Sequence, residues 1–212
     1  MRKISLNSLH QTRKDFIEQH KNKDHVYISG NNNILISSPH GVSQLRLGKL
    51  KQGEIGSLAT ALFLKNNSKC HLIAKTKNNN DDANFDEESL YKDAIRNIIQ
   101  KHNIKYIIDI HGLAAFRECD INLGTHLGKN IENNLQVFEN LQKLLEENNF
   151  ITIIDQPFMA GSRTISGSMK NEFENIWTIQ IEINCKITNK KENIAKLNTL
   201  LSLLLNWINS IQ

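Results

Sequence analysis

Three apolar, largely β-branched runs in this chain each end in a residue able to do chemistry. They are Asn33-Ile34-Leu35-Ile36-Ser37-Ser38-Pro39-His40-Gly41, Tyr106-Ile107-Ile108-Asp109-Ile110-His111-Gly112 and Trp177-Thr178-Ile179-Gln180-Ile181-Glu182-Ile183-Asn184. Short apolar runs bounded by turn formers read as buried strands. In an open α/β sheet, ligands sit beyond the C-terminal ends of the strands. Two histidines and a glutamate delivered to such an edge are what a hydrolytic zinc site needs.

The segments between these runs supply the rest of an alternating pattern. Residues 26–28 read as a further strand, followed by the turn-forming residues 30–33. Residues 53–64 read as a helix with Leu58, Ala61 and Leu62 on one face, and 71–75 as a short strand. Leu90, Ala94, Ile98 and Ile99 mark a helix from Glu87 to about His102, and Val137, Leu141, Leu144 and Leu145 another. Residues 121–124 and 150–154 read as strands, and 194–211 as a leucine-rich terminal helix. Strands alternating with helices predict βαβ units around a mostly parallel sheet. Two irregular stretches, 76–86 and 157–170, exceed ordinary connections, and loops of that length are often functional. Residues 1–25 are polar and mixed and read as a peripheral N-terminal arm or a short peripheral element.

A length of 212 residues fits a single domain spanning 1–212 with a core that needs no covalent staples. Cys70, Cys119 and Cys185 match no zinc-ribbon or redox spacing, so a reducing, cytoplasmic setting is expected. No stretch approaches the roughly 18 apolar residues of a membrane span, and no hydrophobic signal segment is visible. The net charge of +4 is modest and spread along the chain. Nucleic-acid binding wants a concentrated basic patch, so neither nucleic acid nor membrane is the expected partner. A small anionic substrate is compatible with this charge.

Candidate site residues emerge from local chemistry. Residues i and i+2 of a strand share a face, so Asp109 and His111 point the same way and the carboxylate can orient the imidazole. His40 repeats the theme, ending an apolar run and preceding a glycine. Glu182 lies inside an otherwise apolar strand, where a carboxylate is costly unless paired, ligated or protonated. Its structural alternative is an ion pair with Arg163 or a lysine; its functional one is a general base. Two histidines leave a hydrolytic site one protein ligand short. Glu54, at the start of a predicted helix, is the candidate, and Asp109 competes with it. Arg163 in Gly161-Ser162-Arg163-Thr164-Ile165-Ser166-Gly167, and Arg46 in Gln44-Leu45-Arg46-Leu47-Gly48, can hold a substrate carboxylate in a bidentate fork. Asn84 in Asp81-Asp82-Ala83-Asn84-Phe85 offers an amide to substrate, or forms a plain turn. There is no G-x-S-x-G elbow, no G-x-G-x-x-G and no P-loop.

Taken in order, these segments resemble the N-formylglutamate amidohydrolase family, small relatives of the zinc carboxypeptidases and of the aspartoacylase group. The resemblance runs from Ser38-Pro39-His40-Gly41 through Gly53-Glu54, the Asp81 to Phe85 loop, Ile108-Asp109-Ile110-His111-Gly112 and the Gly161 to Gly167 loop. It ends at Ile179-Gln180-Ile181-Glu182-Ile183-Asn184. It implies a three-layer α/β/α fold, zinc carboxypeptidase-like, with a mostly parallel or mixed sheet. It further implies zinc on His40, Glu54 and His111, Glu182 as general base, and Arg163 at the substrate carboxylate. The implied activity is hydrolysis of a non-peptide amide of a small acidic N-acyl amino acid. A metallopeptidase acting on short peptides or cell-wall amides, and a non-catalytic anion-binding relative, are the alternatives. Iron, manganese or cobalt suits the same ligands. The chain departs from the family pattern at Ser43, where carboxypeptidase-like enzymes place a glutamate. It departs again at Phe85, after Asn84, and at Thr76-Lys77, where arginines are common. These departures bear on the substrate rather than on the chemistry.

Overall fold

The computed structural model describes residues 3–211. In chain order the elements are α1 (Leu6–His20), β1 (His25–Ile28), β2 (Ile34–Ser38), β3 (Gln44–Arg46), β4 (Lys49–Lys51), α2 (Ile55–Asn67) and β5 (His71–Lys75). They continue with α3 (Leu90–His102), β6 (Tyr106–Leu113), β7 (Ile121–Gly124), α4 (Leu135–Glu147) and β8 (Thr152–Ile154). The last are α5 (Ile165–Glu172), β9 (Trp177–Asn184), α6 (Cys185–Asn189) and α7 (Ile194–Ser210).

Seven of the described strands form one sheet in the order β1-β5-β2-β6-β9-β7-β8, and β3 pairs with β4 apart from it. The three apolar runs are therefore adjacent at its centre. β5, β2, β6 and β9 run parallel. β1 is antiparallel at one edge, and β7 is antiparallel to β9. The sheet is mixed and mostly parallel, as the alternating pattern predicts. β2 and β9 are buried along their whole length, which is why they read as near-continuous apolar runs.

Helices cover both faces. Side chains of α1, α2, α4 and α7 pack with Ile34, Ile36, Ile108, Ile110, Ile179 and Ile181 on one side. On the other, Tyr91, Ile95 and Ile99 of α3 and Ile165 and Met169 of α5 pack with Leu35, Ile73 and Ile107. Successive side chains of a strand point to opposite faces of the sheet. Ser37, Asp109, His111, Gln180 and Glu182 therefore all alternate onto the α3/α5 face, toward the C-terminal ends of their strands. No described helix is long and apolar enough to cross a membrane.

Two expectations are corrected. Residues 6–20 are a helix rather than an arm. Ser5 caps it by accepting from Ser8 N–H, and Leu6 and Leu9 join the core. The Arg13 guanidinium donates to the Gly41 carbonyl at 2.8 Å, so the helix braces the turn that carries His40. The stretch 157–170 is only partly a loop, because α5 begins at Ile165. Thr164 caps it by accepting from Gly167 N–H, and the glycine and serine content had hidden the helix.

Ile108 has no solvent exposure and sits at the centre of the sheet. Ile108→Ala is expected to cost about 2–5 kcal/mol. Urea unfolding should show a lower midpoint at an unchanged slope; an unchanged midpoint would mean that this core does not carry the fold.

Candidate active site

The C-terminal ends of β2 and β6 bring His40 and His111 together. Their rings are edge-to-face with centroids 4.7 Å apart, and both are buried. Glu54 is the residue preceding α2. Its backbone N–H donates to the His40 carbonyl at 2.8 Å, which folds the intervening hairpin back on itself. Its carboxylate turns inward, with Oε1 2.9 Å from His40 Nδ1 and Oε2 accepting from Gly112 N–H at 2.8 Å.

The outer nitrogens face carboxylates of their own. His40 Nε2 lies 2.9 Å from Asp82 Oδ1, and His111 Nε2 lies 2.9 Å from Asp109 Oδ2. A carboxylate accepts, so each Nε2 carries its proton outward. The two Nδ1 atoms then face each other at 3.2 Å, with Glu54 Oε2 3.7 Å from His111 Nδ1. Two lone pairs and a carboxylate repel unless a proton or a metal ion sits among them. Donors around a tetrahedral ion at about 2.0–2.2 Å are roughly 3.3–3.6 Å apart, close to the spacing seen. One ligand atom from each of His40, Glu54 and His111 lies within 4.8 Å of the others. The donor set, its spacing and its outward carboxylates thus fit a divalent metal ion. Asp109, the competing third ligand, is committed to the far nitrogen of His111, and Glu54 occupies the inner side.

Electrostatics agree. Burial opposes charge on His111, but the Asp109, Glu182 and Glu54 carboxylates outweigh it and lift the imidazole to about 10. His40 is raised against the same burial penalty by Glu54 and Asp82. Burial would raise Glu54, yet His40 and His111 hold it below the usual range. The metal-free site therefore holds a proton at neutral pH that an ion must displace. Zinc binding at pH 7 is expected to release about one proton per ion. Titration calorimetry in buffers of different ionisation enthalpy measures this, and a buffer-independent heat would contradict the protonated cluster.

Glu182 pairs with His111 across β6 and β9. Its Oε1 accepts from the Gln180 amide at 2.9 Å. Burial pushes its carboxyl up to about 7, aided by Glu54 and Asp109 and opposed by His111 and His40. The ion pair with Arg163 weighed from the sequence is not formed. Arg163 is largely exposed and lies 3.5 Å from Glu87, with its guanidinium 5.6 Å from the Phe85 ring centroid.

These groups open into a cavity of about 880 Å³ that is also lined by Arg46, Lys51, Arg117 and Arg163. Arg46 donates from Nε to Asp82 Oδ2 at 2.8 Å and stacks 4.8 Å from the Phe85 centroid, leaving its terminal nitrogens for a ligand. Asn84 lines the cavity, but its Oδ1 accepts from Ile165 N–H at 2.7 Å and its Nδ2 donates to Gln180 Oε1 at 3.2 Å. Sequence reasoning missed Asp82, which lies in an Asn- and Asp-rich stretch indistinguishable from a turn. It also missed Lys51 and Arg117, surface cations without local pattern.

Gly112 is required by close approach. A Cβ there would meet Glu54 Cβ at 3.1 Å and Cγ at 3.3 Å. Gly112→Ala is expected to displace the Glu54 carboxylate and weaken zinc binding by on the order of 10- to 100-fold, the range seen when the support of a ligand is disturbed. Competition with a chromogenic chelator tests it, and unchanged affinity would show that Glu54 is not held from this side.

No protein-family model matches the chain, and no curated protein matches its sequence. Solved structures do share its fold. An N-formylglutamate amidohydrolase from Ralstonia eutropha is 13% identical, with TM-score 0.63 over 89% of this chain and 98% of its own. A bacteriophage poly-gamma-glutamate hydrolase is 11% identical, with TM-score 0.51 over 92% and 94%. A metallo-carboxypeptidase from Burkholderia cenocepacia is 10% identical, with TM-score 0.53 over 96% of this chain and 69% of its own. The fold is thus the carboxypeptidase-like α/β architecture shared with the formylglutamate amidohydrolases.

Proposed function

We infer that this chain is a metal-dependent hydrolase of an amide bond in a small acidic N-acyl amino acid. The observation that carries the reading is the convergence of the two Nδ1 atoms and the Glu54 carboxylate beside Glu182, with both outer imidazole nitrogens tied to carboxylates. Names among the structural neighbours, formylglutamate and poly-gamma-glutamate, support an acidic amide.

His40, Glu54 and His111 would hold the ion, with zinc the first choice. When bound, a divalent ion polarises a carbonyl and acidifies water. Glu182 accepts the proton of the attacking water and returns it to the leaving nitrogen. Its burial suits that duty, since desolvation raises the carboxyl above the ordinary range and makes it a stronger base for the water's proton. Asp82 and Asp109 hold the imidazole tautomers that keep Nδ1 free. Arg163, with Arg46, binds the substrate carboxylate.

Protein purified without added metal should contain a near-stoichiometric divalent ion. A panel of N-formyl, N-acetyl and N-succinyl glutamates and aspartates should be hydrolysed, with activity lost to a chelator and restored by zinc, manganese or cobalt. Failure to bind any of these ions refutes the reading. The roomy cavity with four cations on its wall favours a second substrate, a short acidic peptide. A higher kcat/KM on a glutamyl oligopeptide than on every N-acyl amino acid would select it.

A further inference from the structure

We propose that Gln180 is a positioning residue for Glu182 and that Asn84 aims it, through a hydrogen-bond chain of fixed direction that starts at the N-terminus of α5. The proposal rests on the reading of Glu182 as the general base. Direction is set by the first link alone. The Ile165 backbone N–H can only donate, so the Asn84 atom 2.7 Å from it is Oδ1. The Asn84 amide nitrogen then faces Gln180 at 3.2 Å, which must answer with Oε1. The Gln180 amide nitrogen is thereby turned to Glu182 Oε1, at 2.9 Å. Each side-chain amide has one oxygen and one nitrogen, so neither can flip without breaking two links.

The chain is enclosed and anchored at both ends. Asn84, Gln180 and Glu182 are all buried. Gln180 and Glu182 share a strand face, and their register partners on β6 are Asp109 and His111. The Asn84 backbone N–H donates to Asp82 Oδ1 at 3.2 Å, the same oxygen that receives His40 Nε2. One residue therefore ties the orientation of His40 to that of Glu182. The buried Lys92 ammonium donates to the Asp86 carbonyl at 2.6 Å and to the Arg163 carbonyl at 2.8 Å. That clip holds the loop before α5 against the loop bearing Asn84. Arg163 lies two residues before Ile165, so the loop that carries the substrate-binding guanidinium also launches the chain that aims Glu182. Asn84 serves this chain rather than the substrate.

Gln180→Met keeps length and burial but removes the donor to Glu182. It is expected to lower kcat by on the order of 10- to 100-fold, the scale of a misplaced reacting group, with KM and zinc affinity unchanged. Asn84→Asp still accepts from Ile165 but cannot donate, so the Gln180 amide turns around and presents its oxygen to Glu182. It should lower kcat similarly on its own and have no further effect in the Gln180→Met background. Asn84→Leu, which breaks both links without a charge, should behave the same way. Additive losses, or a raised KM at retained kcat, overturn the proposal. A second readout needs no substrate. The Gln180 side-chain amide resonances in a nitrogen–proton spectrum should shift and exchange faster in Asn84→Asp. Unchanged resonances overturn the chain even if hydrolysis is impaired. Wild-type protein inactive on every amide, with the resonances responding as expected, would instead overturn the function and leave the chain standing.

Discussion

Glu182→Gln is expected to lower kcat by about 10²–10⁴-fold, the usual contribution of a positioned acid or base, while zinc still binds and the fold persists. The amide fills the same volume and can still meet Gln180, but it cannot take a proton. KM should change little, since the proton moves only in the transition state. The same residue sets the sign of the pH dependence. Burial first, with Glu54 and Asp109 beside it, lifts the carboxyl to about 7 in the metal-free protein. A base works only when ionised, so kcat should fall as pH drops through this group. The positive charge of a bound ion displaces that limb toward lower pH, because it favours the carboxylate. The limb should vanish in Glu182→Gln, whose residual rate should be flat there. A variant that retained wild-type kcat would sink the assignment of the base, whatever the metal content.

His111→Ala should have the larger effect on metal. It removes one of the three proposed protein ligands, so zinc affinity should fall by more than the roughly 10- to 100-fold expected when a supporting group is changed, as in Asp109→Asn. Asp109→Asn is the graded control, because its oxygen still accepts from His111 Nε2 but its charge is gone. Thermal unfolding reads the difference. At a zinc concentration about 100 times its dissociation constant, the wild type gains about 2.7 kcal/mol. His111→Ala should gain nothing, and Asp109→Asn something between. The metal-free His111→Ala protein should also be less stable, since Asp109, Glu54 and Glu182 then lose a buried positive partner. Equal zinc protection of His111→Ala and wild type would exclude the proposed ligand set.

What the sequence revealed and what it concealed divide along a physical line. The alternation of each strand put Asp109 with His111 and Gln180 with Glu182, because a two-residue period needs no knowledge of neighbours. That His111 stands opposite Glu182 is a matter of register, set by packing across strands far apart in sequence. Asp82 carries no local mark, since its task depends on where the 76–86 loop crosses β2. The β3–β4 hairpin was invisible for a different reason. Its turn uses Leu47 at φ 50° and Gly48 at φ 72°, where an Asn-Gly pair is the usual signal. Helix α1 escaped because its buried residues, Leu6 and Leu9, are few among many polar ones.

β9 lies between β6 and β7 in the sheet, yet it is the last of the described strands along the chain. Strand order alone leaves a chain that stops short of residue 177 with at most two unconnected groups, β1-β5-β2-β6 and β7-β8, because residues 177–184 are what join them. In such a chain the inner sides of β6 and β7 are open edges, hazardous for aggregation. The strand that closes them also brings Glu182. The union of the two halves of the sheet and the completion of the candidate centre thus depend on the same strand, so a shortened product ending before β9 has neither.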